Sequence, residues 1–157
     1  MSERGVFLTR EGLKSLNEEL EELRTVRRVE VAEVIREAQS LGPDQQDAQY
    51  EDAKNQQAFL EGRIREIEVT LERAVEIDEK AAQKSKDVRL GSTVTLKTKD
   101  GKSHKYQLVG TTEADPLSGR ISHESPVGRA LLGKRRGEKV TVRAPAGDVE
   151  MTVISVA

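Results

Sequence analysis

Two runs of apolar residues repeat with the spacing of a coiled coil, and this repeat most constrains how the chain folds. The first run alternates intervals of three and four residues: Leu13, Leu16, Leu20 and Leu23. The second run keeps that alternation for longer: Ala53, Gln57, Leu60, Ile64, Ile67, Leu71 and Ala74. Such spacing places side chains on one face of an α-helix. The pattern therefore predicts two long helices between residues 10 and 77.

The segment between the two runs predicts a hairpin. The first run continues less regularly through further apolar residues: Val26, Val31, Val34, Ala38 and Leu41. Gly42-Pro43 then ends the helix, and the short connection favours an antiparallel partner. We expect Thr9 to cap the first helix and Asp44 or Asp47 to cap the second. About 30 residues per helix give an arm of roughly 45 Å.

Beyond residue 90 the periodicity changes to that of strands. Residues 94–98 and 106–109 alternate around an Asp100-Gly101 turn, which predicts a β-hairpin. Shorter elements follow: a strand at Ile121, a helix over residues 127–132 that Ser125 caps, and strands at residues 140–142 and 149–154. We expect an α+β fold with a helical hairpin over residues 1–77 (tip 42–49), a linker over 78–90, and an antiparallel-rich β domain with one short helix over 91–157.

Composition excludes several classes of function. The chain has no cysteine and two histidines, so thiolate chemistry and a multi-histidine zinc site are excluded. Aromatic residues make up only 3% of the chain, which disfavours an aromatic-lined pocket. No apolar run reaches the length of a membrane span and no leader peptide is evident, so we expect a cytoplasmic protein. We find no pattern of an autonomous enzyme, such as a phosphate loop or a nucleophile elbow.

Charge is divided unevenly, and the predicted tip is acidic. Residues 1–80 hold 20 acidic and 12 basic residues, whereas residues 81–157 hold 8 and 14. Between Arg36 and Lys54 there is no basic residue, and the acids there include Asp44 and Asp47. Carboxylates of this kind suit Mg²⁺ when another protein supplies the remaining ligands. The alternative is a solvated loop in which an aspartate caps a helix.

Basic and histidine side chains of the second half have two interpretations. Lys134-Arg135-Arg136 can contact nucleic-acid phosphate, although such a cluster is more often a solvated rim. His104 and His123 are expected to be surface or capping residues rather than metal ligands.

Motifs in both halves of the chain follow one another in an order typical of one family. The first half carries Leu8-Thr9-Arg10-Glu11-Gly12, Arg27-Arg28, Ala48-Gln49-Tyr50 and Glu61-Gly62-Arg63-Ile64. The second half carries Val109-Gly110, Glu113-Ala114-Asp115, Ser125-Pro126 and Gly128-Arg129-Ala130-Leu131-Leu132-Gly133-Lys134. Over nearly its whole length the chain resembles the bacterial Gre-type transcript cleavage factors.

The resemblance implies both a fold and a partner. The β domain is expected to resemble the FKBP fold and the whole chain to regulate transcription elongation by binding bacterial RNA polymerase. The tip is expected to enter the secondary channel toward the catalytic Mg²⁺ or Mn²⁺, which belongs to the polymerase, so the chain meets nascent RNA and DNA only within the elongation complex. It would be an accessory factor rather than an enzyme. Docking at the channel rim is expected of these motif residues: Asp115, Ser125, Pro126, Gly128, Leu131 and Gly133.

The tip departs from the family motif. Cleavage-active members read Gly-Asp-Leu-x-Glu-Asn-Ala-Glu-Tyr, and here Pro43 and Gln46 replace the two acids of that motif. Neither residue supplies an anionic oxygen. An Asp-x-x-Asp pair follows one residue later, at Asp44 and Asp47, and one helical residue is a rotation of about 100°. We therefore predict weak or no stimulation of cleavage, with the aspartates instead modulating pausing or inhibiting synthesis beside the polymerase metal.

Three alternatives remain open from the sequence. The shifted aspartate pair could still support cleavage. The β domain could be a prolyl isomerase or chaperone, which the scarcity of aromatic residues disfavours. The helices could form an oligomeric coiled coil. However, the apolar seams formed by the two runs can pack against each other within one chain, which favours a monomer.

Overall fold

The chain folds into two compact units. The computed structural model describes residues 5–157, with the backbone alone described at residues 43–47 and at residue 144. A helical unit spans Leu13–Arg73, and a β unit comprises Ala74–Ala157 with the described residues of Met1–Gly12. The helical unit therefore ends at Arg73 rather than at the expected residue 77. Residues 78–90, expected to be a linker, instead belong to the β unit, because they hold a helix and a core residue, Val88.

The helical unit is a hairpin of two long arms. Its first arm begins with α1 (Arg10–Glu22), passes through a π-helical turn at Leu23–Arg27 and continues as α2 (Arg28–Gln39). The second arm is α3 (Pro43–Glu72). Only residues 40–42 connect the arms, so the helices return antiparallel to each other, as the two apolar runs predict.

Apolar side chains between the arms form the expected seam, except where the π-helical turn shifts it. The packed cluster contains Leu16, Leu20, Leu23, Val31, Ile35, Leu60, Ile64, Ile67 and Leu71. The interval from Leu23 to Val31 is eight residues, one more than a heptad, and a π turn accommodates one additional residue. Ile35 therefore packs in the seam, whereas Val26 and Val34, which we had expected there, are 50% and 37% exposed.

The two helix starts differ in how they are capped. Thr9 caps α1 as predicted, because its Oγ1 accepts a hydrogen bond from the Gly12 N–H at 3.0 Å. At the second start Gly42 takes the extended N-cap conformation, and Pro43 occupies the first helical position. Proline suits that position because the first helical N–H has no partner within the helix. The prediction that Asp44 or Asp47 caps α3 is therefore wrong.

Three elements of the β unit are not predicted by the sequence. Strand β1 (Val6–Leu8) pairs in parallel with β2 (Ala74–Glu76), so Ala74 belongs to a strand rather than to the helical seam. Helix α4 (Glu79–Lys84) follows, and the Ala81 N–H donates to the side chain of its N-cap Asp78 at 3.0 Å.

The remaining strands form one five-stranded sheet in the order β5-β4-β3-β7-β6. Its members are β3 (Thr93–Thr98), β4 (Ser103–Val109), β5 (Arg120–Ser122), β6 (Lys139–Ala144) and β7 (Gly147–Val156). All neighbours are antiparallel except β4 and β5, which are parallel. The short helix α5 (Pro126–Leu131) follows β5. The predicted α+β class and its strands are confirmed.

A core of aliphatic side chains holds the β unit together, as a chain poor in aromatic residues requires. Its buried members are Val88, Val94, Leu96, Leu108, Ile121, Leu131, Val140, Val142, Met151 and Val153. None of the helices in the described part of the chain has the length and apolar character that a membrane crossing requires.

Candidate functional site

The hairpin tip is built by a sharp transition between two helices. Ser40 ends α2, with its N–H donating to the carbonyl oxygens of Arg36 and Glu37 at 3.2 and 3.1 Å. Gly42 is extended, at φ −65° and ψ 162°, and α3 begins at the next residue. The acidic residues Asp44 and Asp47 therefore lie in helical backbone at the start of α3.

The predicted tip residues occupy the first turns of α3. The backbone there is helical, but the side chains of Pro43, Asp44, Gln46 and Asp47 lie outside the described residues. An interval of three residues places Asp44 and Asp47 about one helical turn apart. Their role as metal ligands stays a prediction.

The predicted docking residues around α5 have roles within the β unit. The Ser125 Oγ accepts from the Gly128 N–H at 3.1 Å and donates to the Ser122 carbonyl at 2.7 Å, so Ser125 caps the helix that Pro126 begins. A side chain at Gly128 would overlap the backbone at Ser122. Leu131 is fully buried in the core, so Pro126 is the exposed one of the four predicted docking residues in this segment.

The other predicted docking residues lie in turns. Asp115 is exposed, and its Oδ2 accepts from the Ser118 Oγ at 2.6 Å. Its backbone pairs with that of Arg120, which fixes the intervening turn. Gly133 has φ +79°, a conformation that glycine adopts readily. Docking by all six residues stays a prediction, and three of them are exposed, namely Asp115, Pro126 and Gly133.

Glu113 forms a buried carboxylate site that sequence reasoning missed as a site. Its two oxygens accept from the Thr9 N–H and the Thr9 hydroxyl, each at 2.6 Å. Arg120 donates to the same carboxylate at 2.8 Å, and the Glu113 side chain is only 9% exposed. A negative charge at the start of α1 also complements the helix dipole. Thr9 and Glu113 are 104 residues apart, so no local signal could reveal the contact.

Ion pairs join the two arms of the helical unit. Arg63 binds both carboxylate oxygens of Glu19, at 2.8 and 3.0 Å, and Arg28 binds both oxygens of Glu61, at 2.9 and 2.8 Å. The hydrogen bonds that Arg28 donates lower the pKa of Glu61, and those that Arg63 donates to Glu19 and Glu66 raise the pKa of Arg63. Bidentate pairs fix the alignment of the arms better than single contacts do.

The basic cluster and the histidines show little that points to a ligand. Lys134 pairs with Glu138 at 3.8 Å, and Arg135 pairs with Asp87 at 3.0 Å. His104 stacks on Tyr106, and the ring of His123 meets Phe7 edge-on at 5.7 Å. Within the part of the chain whose side chains are described, no three acidic or histidine residues group as metal ligands would.

Comparisons with known proteins assign both units. Residues 6–75 match the family described as "Transcription elongation factor, N-terminal", and residues 82–157 match "Transcription elongation factor, GreA/GreB, C-term". The chain is 49% identical to transcription elongation factor GreA of Chloroflexus aggregans, over 99% of each chain. It is equally similar to the GreA of Roseiflexus castenholzii, again over 99% of each.

Solved structures give a further likeness. The chain is 34% identical to GreA factor homolog 1 (Gfh1) of Thermus thermophilus, with 98% of this chain and 99% of that chain covered and a TM-score of 0.44. The relationship itself is established by the two family matches, which cover residues 6–75 and 82–157, and by the 49% identity to the Chloroflexus aggregans protein. The chain belongs to the GreA/GreB family of transcription elongation factors.

Proposed function

We propose that the chain acts on bacterial RNA polymerase by placing its hairpin tip in the secondary channel, where it weakly stimulates transcript cleavage or does not stimulate it at all. It instead modulates pausing or inhibits synthesis. Membership of the elongation factor family and the helical hairpin support the general role. The tip sequence supports the specific proposal of weak or absent cleavage stimulation, since Pro43 and Gln46 replace the acids of the cleavage motif.

The metal chemistry would be shared with the polymerase. Mg²⁺ typically takes one or two protein carboxylates and completes its shell with other oxygens, so Asp44 and Asp47 are suitable donors but insufficient alone. A metal of this kind lowers the pKa of a bound water and stabilises the attacking and leaving oxygens. The part of this chain is to present carboxylates from the start of α3, and the factor itself is no enzyme.

The shifted frame is the reason for expecting weak cleavage. A one-residue shift turns a helical position by about 100°. In positioned catalysis a misplacement of about 1 Å can reduce the rate about a hundredfold. If Asp44 and Asp47 are rotated away from the position of the family's acids, their negative charges can still occupy the channel and perturb a metal that the polymerase holds.

A cleavage-competent factor is the second candidate. One observation favours it: Asp44 and Asp47 keep the three-residue separation of the family's acidic pair. If the channel tolerates the rotation, the pair could still support hydrolysis of backtracked RNA.

A cleavage assay on a backtracked elongation complex tests the proposal. We expect the unaltered chain to bind the complex, to accelerate RNA cleavage little and to slow elongation. The variant Pro43→Asp with Gln46→Glu restores the acids of the motif and should accelerate cleavage by about a hundredfold over the unaltered chain. Strong cleavage with the unaltered chain would contradict the proposal and establish the second candidate.

A further inference from the structure

Phe59 is an apolar side chain that the helical unit does not bury. It is 82% exposed, more than any other large apolar residue described in this unit. It lies on α3, beside a groove of about 350 Å³ between the two arms. The groove is lined by Leu23, Arg27, Asn55, Gln56, Phe59, Leu60 and Arg63. Exposed aromatic side chains beside an apolar groove are typical of interaction surfaces.

The π-helical turn forms one wall of this groove. Leu23 and Arg27, its first and last residues, are the lining residues from the first arm. π turns are rare and occur often at functional sites. The opposite wall comes from α3, where Leu60 packs in the seam and Phe59 projects outward.

Gly62 supplies an independent observation three residues after Phe59. It lies inside α3, is exposed, and a Cβ built on it meets no atom within 4 Å. Its backbone has no positive φ, so the helix does not need glycine there. Glycine is the least favourable helix residue apart from proline. No contact with the residues that the structure describes accounts for it, whereas close approach of a second backbone would.

The charges around the groove favour an uncharged occupant over nucleic acid. Arg27 pairs with Glu30, and Arg63 pairs with Glu19 and Glu66. Three carboxylates thus surround two guanidinium groups, which leaves little attraction for a phosphate backbone. An apolar protein side chain does not depend on charge attraction and can pack against Leu23 and Leu60, which line the groove.

The size of the surface argues against a second copy of this chain as the occupant. Burying a phenylalanine removes about 150–250 Å² from water. A stable protein interface needs about 1,200–2,000 Å² in total. A groove of this size can therefore only add to an interface that other parts of the protein already make.

From these observations we infer that the Phe59 groove docks an apolar segment of RNA polymerase, with Phe59 as anchor and Gly62 as the point of closest approach. The inference rests on the proposed function, which supplies the larger interface. It assigns to the side of the hairpin a binding role separate from the chemistry of the tip.

Binding of the full chain to bacterial RNA polymerase core enzyme, without RNA or DNA, tests the inference. We expect Phe59→Ala to weaken the affinity at least about tenfold. Gly62→Leu should weaken it to a similar extent while the melting temperature stays equal or rises, since leucine favours the helix. The matched control Val29→Ala removes a 63% exposed side chain that does not line the groove, and should change affinity less than twofold.

Four outcomes would overturn the inference. If the unaltered chain binds and both groove variants bind equally well, the groove is no docking surface, and the proposed function stands. If the unaltered chain does not bind core enzyme, both proposals fail. A defect that appears only with a backtracked RNA complex would assign the groove to RNA. A dimer in sedimentation that Phe59→Ala dissociates would assign it to a second copy.

Discussion

At the scale of single residues, Glu113 joins parts of the chain that lie far apart in sequence. Its carboxylate accepts both hydrogen bonds that Thr9 offers and a third from Arg120. Thr9 is itself the cap of α1, so the same residue receives a helix N–H and donates to Glu113. Buried polar groups are costly without partners, and here three donors share one acceptor group.

We predict that Glu113→Ala destabilises the β unit by about 2 kcal/mol, because it leaves the Thr9 N–H and the partly buried Arg120 without their acceptor. The loss should appear as a lower denaturation midpoint in urea. Asp148→Ala is the control, since it removes an exposed carboxylate of the same unit. Equal midpoints for Glu113→Ala and the unaltered chain would show that the buried carboxylate contributes no net stability.

Gly62 and Gly128 differ in whether packing within the fold requires glycine at that position. At Gly128 an added side chain would overlap the Ser122 carbonyl, so the fold itself requires glycine. At Gly62 a Cβ would meet no atom within 4 Å, so packing among the described residues does not require glycine there. Both positions lie in motifs that resemble those of the family, and the tertiary structure requires glycine for packing only at Gly128.

At the scale of elements, the π-helical turn keeps the apolar seam continuous although the interval from Leu23 to Val31 is eight residues rather than seven. A strict heptad after Leu23 would bring position 30 to the seam, which is Glu30. One additional residue in the turn brings Val31 there instead, and then Ile35. The helix accepts a rare local geometry because it keeps a charged side chain out of the seam and an apolar one within it.

The inter-arm pair of Arg28 and Glu61 should make hairpin stability depend on pH. Its hydrogen bonds hold the pKa of Glu61 below the ordinary value of 4.5. A carboxyl group with a lower pKa in the folded state stabilises the fold above the unfolded pKa, and that contribution disappears as pH falls through the folded pKa.

We therefore expect Glu61→Gln to lower the melting temperature of the helices at pH 7, and the difference from the unaltered chain to disappear at a pH well below the lowered pKa of Glu61, where the carboxyl group is protonated in both states. Circular dichroism at 222 nm measures this, with the exposed Glu72→Gln as a control on the same helix. A difference that is the same at both pH values would exclude ionisation of Glu61 as its cause.

At the scale of the whole molecule, binding and effect are assigned to different places on the chain. The tip carries the negative pair, whereas the side of the hairpin and the exposed turn residues of the β unit are the expected contacts. A variant at the tip should then lose the effect on transcription without losing the partner.

Asp44→Ala combined with Asp47→Ala tests this separation. We expect the double variant to bind RNA polymerase with an affinity within about twofold of the unaltered chain, and to lose its effect on elongation. Competition with a labelled unaltered chain gives the affinity, and transcript extension gives the effect. An unchanged effect on elongation would mean that the tip carboxylates are not the active element.

The sequence by itself determined the two helices, their hairpin pairing and most strands, because spacings of three and four residues or alternation specify which faces are buried. It also determined the family and the altered tip, which depend only on the order of residues. It missed β1, β2, the Glu113 site and the cap of α3. β1 pairs with β2 across nearly 70 residues. Glu113 and Thr9 meet across 104. Such contacts depend on where distant segments come together, and only the tertiary structure decides that.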